Sequence, residues 1–370
     1  MARKLALICS EGLWAYEHGD DHPLRAERLR RTAQLLDAYG AFRLPNVAVV
    51  EPRMATPAEL YLFHTPEYVD IVRMLSDGDL TVSHREYGFG PGDNPVFLHM
   101  YESEALKVGG SLVAASLLEE AACDIAFNFA GGMHHAGPAE ASGFCVFNDA
   151  AIALRWLEMR GRRVAYIDID VHHGDGVQWA FFDSDRVMTI SLHQSGRTLF
   201  PGSGSVGEVG REAGLGYCVN VPLPISTDDD SYLSAFDSIV FPILDRFQPD
   251  LVVTQLGVDT HFRDPLADLA LTTAGHTALF ERVYALGLPW LALGGGGYAI
   301  DVVPRSWSLA VGVMAGCDFP DEIPASYRQR YGTSCLRDQE GPAFSPEERA
   351  AIRERVEAVI AAVRLRHGLS

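Results

Sequence analysis

The chain has 370 residues, 48% hydrophobic and 21% charged, with no linker, low-complexity tract or 20- to 50-residue repeat, so a disordered or solenoid protein is excluded and one domain with a large core is expected over residues 1–370. A net charge of −19 repels phosphate backbones, which excludes nucleic acid as a partner, and no run approaches the roughly 18 apolar residues of a membrane helix. Six scattered cysteines without a C-x-x-C pair read as reduced thiols of a cytoplasmic protein.

Residues 5–9 predict a first strand rather than a secretory signal, because the apolar stretch is only a strand's length and Glu11 follows. A polar loop with His18, Asp20, Asp21 and His22 leads to a helix over 23–38, with Pro23 at its start and Leu24, Leu29, Leu35 and Leu36 near one face. Arg25, in its first turn, opposes the helix dipole, so its guanidinium is expected to be used elsewhere. Thr56-Pro57 and Thr65-Pro66 each open a helix, and a Gly/Pro loop then presents Asp93. A long helix over 95–121 and a strand over 124–128 precede a glycine-rich loop carrying Met133, His134 and His135. Ser142-Gly143-Phe144-Cys145 and a helix from about 148 follow.

The next strand, 163–167, is an apolar run from Val164 on, as for a strand buried on both faces. Beyond it Asp168, Asp170 and His172 alternate in an extended segment, so their side chains leave on one side and can converge on a metal. Asp175 can stand behind a histidine. A helix over 177–182, a strand over 187–192 ending in His193, and a loop holding Phe200 come next. A helix over 229–247 leads to the strand 251–255 and Asp259; a helix over 272–286 leads to the strand 290–293 and Gly294-Gly295-Gly296-Gly297-Tyr298. That run lacks the G-x-G-x-x-G order of a dinucleotide site and suggests backbone held close to a small site. Past 316 the chain turns irregular until Ser345-Pro346-Glu347-Glu348 caps a tail helix over 345–367. Its apolar face packs on its own domain or on a second subunit.

Strand–helix alternation implies a mainly parallel sheet, so the polar residues at five strand ends fall along one edge. Asp170, His172 and Asp259 form the three-ligand set of a catalytic metal, with zinc the default and Fe(II) or Co(II) tolerated. His134 and His135 suit acid/base work, Asp168 and Asp175 are free to orient them, and Tyr298 suits an oxyanion donor. These parts describe metal-assisted hydrolysis of an amide or ester.

The chain resembles the histone deacetylase superfamily, in particular its bacterial acetoin-utilisation branch. The resemblance rests on His22-Pro23-Leu24-Arg25, Phe63-His64-Thr65, Gly92 to Phe97, Gly131 to Ala136, Gly143-Phe144-Cys145, Asp168 to Gly176, Leu199 to Gly202, Gly257-Val258-Asp259 and Gly294 to Tyr298, in family order. It implies an arginase-like α/β domain, three layers about a central, mainly parallel sheet, with a catalytic core at about 5–316. It makes Asp170, His172 and Asp259 the zinc ligands, His135 the general base and acid, and His134 an electrostatic histidine. Asp168 and Asp175 stand behind His134 and His135, and Tyr298 is the oxyanion tyrosine. Phe144 and Phe200 would wall an acyl-lysine tunnel, Gly143 would hold the substrate amide, and Asp93 would grip substrate backbone at the rim. Arg25 would serve an internal acetate-release cavity. One potassium site would use Asp168, Asp170, His172, Ser191 and Leu192, and a second Phe181, Ser184, Val187 and Tyr217. Met133 stands where many eukaryotic members have tryptophan, so the cavity wall can differ, and Leu266 stands where polyamine-selective relatives carry an acid.

The expected activity is deacylation of an acyl-lysine protein or peptide. The alternatives are deacetylation of small acylated amines such as acetylpolyamines, against which Leu266 weighs, and a non-catalytic regulator that binds acylated ligands. A ureohydrolase of the same fold would need a carboxylate two positions beyond Asp259, where His261 stands.

Overall fold

The computed structural model describes residues 3–16, 18–19 and 21–369; Asp20 of the first polar loop lies outside the described residues. Eight strands form one sheet: β1 (Leu5–Ile8), β2 (Val47–Val50), β3 (Ile125–Asn128), β4 (Val164–Asp168), β5 (Val187–Gln194), β6 (Cys218–Leu223), β7 (Leu251–Gln255) and β8 (Trp290–Leu293). Their order is β2-β1-β3-β8-β7-β4-β5-β6, and every pairing is parallel. Alternation along the strands divides the core. Leu5, Leu7, Ala165 and Ile167 pack on one face, while Ala6, Ile8, Val164 and Tyr166 pack on the other.

The first face is covered by α1 (Glu27–Ala38), with helices over Asp229–Phe247, Thr273–Ala285 and Val303–Ala315 and the terminal helix over Pro346–His367. The second face is covered by helices over Met100–Glu119, Asp149–Glu158 and Asp175–Ala180. This is the three-layer α/β architecture expected. Ile352, Val356, Ile360 and Val363 of the terminal helix are buried in the first core, so the tail helix packs on its own domain. Capping explains several helix starts. Asn148 accepts from Ala151 N, and Ser345 with Glu348 closes a reciprocal capping box.

The structure corrects several boundaries. The first long helix starts at Glu27 rather than 23, because Leu24 N donates to the His22 ring at 3.1 Å and residues 22–26 form turns. Arg25 therefore precedes the helix. The helix predicted over 95–121 spans Met100–Glu119, its amino end set by His99 in the left-handed region (φ 62°). Strands β2 and β6 and the helix Val303–Ala315 were not anticipated. Both missed strands lie at the sheet's edges: β2 is half-exposed, and β6 contains Pro222, which only an edge strand tolerates.

Candidate active site and metal centre

The carboxyl ends of β3, β8, β7 and β4, neighbours in the sheet, bring their following loops together. Asp170 and His172 follow β4, and Asp259 follows β7. All three are buried, and their ligand atoms lie within 4.8 Å of one another. Backbone and amide donors aim the carboxylates. Asp170 Oδ2 accepts from Gly296 N at 2.8 Å and Gln255 Nε2 at 2.6 Å, while Asp170 Oδ1 accepts from His172 N at 2.9 Å. Asp259 Oδ1 accepts from Val171 N at 2.8 Å. The glycine run is what lets β8's loop approach so closely. A Cβ on Gly296 would run into the carboxylates of both Asp259 and Asp170.

These residues fit a divalent cation. Asp259 Oδ2 is buried with no hydrogen-bond partner, a costly arrangement unless a cation completes it. It faces His172 Nδ1 at 3.3 Å, which also lies 3.1 Å from Asp170 Oδ1. Burial and the neighbouring Asp170 charge push the Asp259 carboxyl up, the signature of two carboxylates crowded without a counter-ion. His261, two positions on, is turned away, with Nε2 2.8 Å from Asp338 Oδ2. It adds nothing to a second metal site.

Two histidine–carboxylate pairs stand beside the ligand set. His134 Nδ1 bonds to Asp168 Oδ2 at 2.8 Å, and His135 Nδ1 to Asp175 Oδ1 at 2.7 Å. The two Nε2 atoms face each other at 3.0 Å. Burial favours neutral His134, but the charges of Asp168 and Asp170 outweigh it and hold the ring at about 9. Burial and the His134 charge push His135 down to about 4, although Asp175 opposes them. With His134 held up and His135 held down, the order favours an imidazolium at His134 and an imidazole at His135, whose Nδ1–H donates to Asp175 and whose unprotonated Nε2 faces the His134 Nε2–H at 3.0 Å.

Tyr298 closes the other side. Asp264 Oδ2 accepts from Tyr298 N at 2.8 Å and Ala299 N at 3.3 Å, which fixes the loop. Burial, with the charges of Asp259 and Asp170, holds the phenol well above its usual range, so it remains a proton donor. Two aromatic rings guard the approach. Phe144 meets Tyr298 edge-on at 5.7 Å between centroids, and Phe200, 44% exposed, meets His135 edge-on at 5.1 Å. Gly143 lies between them at φ 51°, where a Cβ would overlap the His135 ring. Asp93 is exposed, and its backbone oxygen lies 3.1 Å from His22 Nε2. Leu266 is partly exposed, its N–H donating to Asp264 Oδ1 at 3.0 Å. A cavity of about 10 Å³ is lined by Leu24, Met133, Cys145, Gly296 and Tyr298, among others. Met133 is one wall of it.

Arg25 is not part of any interior. Its side chain is 49% exposed and ion-paired to Glu27, because the helix that would have carried it inward begins after it. The buried guanidinium is that of Arg28, at 3% exposure, which donates to Gly295 O at 2.6 Å and Gly297 O at 3.3 Å beneath the Tyr298 loop. Sequence reasoning passed over it. Its spacing from Thr32 and Leu35, four and seven residues on, marks the buried stripe of α1.

Among the residues named for potassium, Asp168 on β4 pairs in register with Ser191 on β5, while Ser191 Oγ lies 2.8 Å from the His193 ring. Leu192 O accepts from Tyr232 Oη at 2.9 Å. Phe181 O accepts from Ser184 N at 3.1 Å, Ser184 Oγ accepts from Val187 N at 3.2 Å, and Tyr217 O accepts from Thr189 N at 3.0 Å.

The chain is similar to known proteins. The histone deacetylase domain matches residues 22–314. The chain is 38% identical to the acetoin utilization protein AcuC of Bacillus subtilis over 341 residues, 90% of this chain and 88% of that protein. It is 40% identical to histone deacetylase 9 of Arabidopsis thaliana over 85% of this chain and 74% of the relative, and 38% identical to histone deacetylase RPD3 of Saccharomyces cerevisiae over 89% and 76%. A solved histone deacetylase homologue complexed with SAHA superposes with a TM-score of 0.87 at 29% identity, covering 97% of this chain and all of the other.

Proposed function

The chain belongs to the histone deacetylase family of metal-dependent amide hydrolases, and from that premise we propose that it removes an acetyl group from the side-chain amine of acyl-lysine in proteins or peptides. The observation that carries this reading is the unpartnered Asp259 Oδ2 of the Asp170–His172–Asp259 group, set beside the two histidine–carboxylate pairs. Asp170, His172 and Asp259 would hold the metal, zinc by donor type, which when bound supplies a Lewis acid for the acyl carbonyl and acidifies the attacking water.

The remaining steps fall to the chain's own groups. Tyr298, kept neutral, donates its phenolic proton in a hydrogen bond to the carbonyl oxygen as negative charge develops there. His135 Nε2, held by the bond from Nδ1–H to Asp175, takes the proton of the attacking water and passes it to the leaving lysine amine. His134 stays charged against Asp168 and stabilises negative charge without leaving its protonated state.

Phe144 and Phe200 suit the apolar stem of lysine, Gly143 O would accept the substrate amide N–H, and exposed Asp93 would take substrate backbone N–H groups at the rim. Potassium bound by Asp168, Asp170, His172, Ser191 and Leu192, and by Phe181, Ser184, Val187 and Tyr217, is part of the same proposal, supported by the in-register Asp168–Ser191 pair. Turnover of a fluorogenic acetyl-lysine peptide tests the whole. Wild-type turnover retained by both His135→Ala and Tyr298→Phe would overturn it.

A further inference from the structure

The end of the sheet opposite the metal ligands carries a second concave site. A cavity of about 540 Å³ opens where the amino-terminal ends of β4, β5 and β6 meet the carboxyl ends of the helices Asp229–Phe247 and Pro346–His367. Arg163 immediately precedes β4 and Tyr217 immediately precedes β6; Arg246 with Phe247, and Arg366 with His367, close the two helices. In a chain of net charge −19, three guanidiniums line this one cavity, and no aspartate or glutamate does.

Two of the arginines are held in place. Arg163 lies over the Phe247 ring at 4.5 Å and donates from Nη2 to Phe247 O at 3.0 Å; Arg246 donates to His367 O at 2.7 Å. These carbonyls engage one N–H group of each fork, and among the described residues the others have no hydrogen-bond partner. Among the described residues none of the three arginines is ion-paired; Asp250 takes the backbone N–H of Arg163 at 2.7 Å, not its guanidinium. A basic residue in a helix's last turn complements the dipole, which accounts for Arg246 and Arg366 singly. It does not account for Arg163, at the start of a strand, or for the convergence of all three. Buried His367 registers the result, pushed down to about 4 by burial and by the charges of Arg246 and Arg366.

We propose that this cavity binds a small, multiply charged organophosphate, its phosphates on Arg163, Arg246 and Arg366 and its organic part against Tyr217 and Phe247. Guanidinium forks match phosphate oxygens two at a time, and three forks exceed what a single carboxylate can engage. The volume falls in the range of small-molecule sites, and an inorganic ion alone would leave most of it empty.

Titration of the full chain with ADP, read by calorimetry and by the thermal unfolding midpoint, tests this against acetate at matched ionic strength. Saturable one-site binding of ADP is expected, with a raised midpoint, and Arg246→Gln/Arg366→Gln should weaken it by at least about tenfold. Because Arg246 also tethers the terminal helix, Arg366→Glu alone, at an exposed position whose side chain makes no bond to that helix, should weaken it in the same direction. No saturable binding, or equal binding by wild type and Arg366→Glu, would overturn the proposal.

Discussion

His134–Asp168 and His135–Asp175 are adjacent in sequence and nearly identical in geometry, with bonds of 2.8 and 2.7 Å, yet one ring is held at about 9 and the other at about 4. The carboxylate behind each ring does not make the difference. Both rings are buried, but His134 has Asp170 as a second carboxylate, its Oδ1 3.9 Å from Nε2, whereas His135 has the His134 charge. One pair thus stores a positive charge and the other keeps an empty proton acceptor. A cation on Asp170 and Asp259 would lower both rings.

The largest effect should come from emptying the acceptor. His135→Ala is expected to lower kcat on an acetyl-lysine peptide by about 10²- to 10⁴-fold, with KM little changed in steady-state assays. Tyr298→Phe should follow, at about 10²- to 10³-fold in kcat, because the phenol acts only as carbonyl charge develops. His134→Asn breaks the comparison itself. Activity needs neutral His135 and is lost as pH falls through its pKa; removing the His134 charge raises that pKa, so the acid limb of kcat/KM should move to higher pH. An unmoved limb would show that the charge is not where the geometry assigns it.

Met133→Ala should open the cavity and raise the butyryl-to-acetyl turnover ratio, at a cost of about 2–5 kcal/mol in chemical denaturation. The smallest effect concerns a third pair, His261–Asp338, whose histidine is bonded away from the ligand group. The bond and charge of His261 hold Asp338 well below the usual carboxylate range despite burial. Its contribution to stability is therefore present above the ordinary carboxylate pKa of about 4 and lost as pH falls. Acid unfolding of Asp338→Asn should accordingly be less steep than that of wild type.

Strands at the middle of the sheet were legible because burial on both faces makes them plainly apolar, as in β4 and β7. Edge strands were not, since β2 shows two exposed residues out of four and β6 carries a proline. The ligand and histidine positions were legible because each follows a readable strand. Arg25 was misplaced because the helix start was set at Pro23, when turns at residues 22–26 carry the chain to Glu27 before the helix begins. Moving that start shifts the buried cation to Arg28, one turn on, a difference that no strand-end rule detects.

The most direct test is acetate release from an acetyl-lysine peptide by chelator-stripped protein, before and after one equivalent of zinc per chain is returned. Stripped protein should be inactive and a single equivalent should restore turnover, because Asp170, His172 and Asp259 form one three-ligand group and His261 is bonded elsewhere. Full turnover in the stripped protein, or restoration only by two equivalents of manganese, would contradict the assignment.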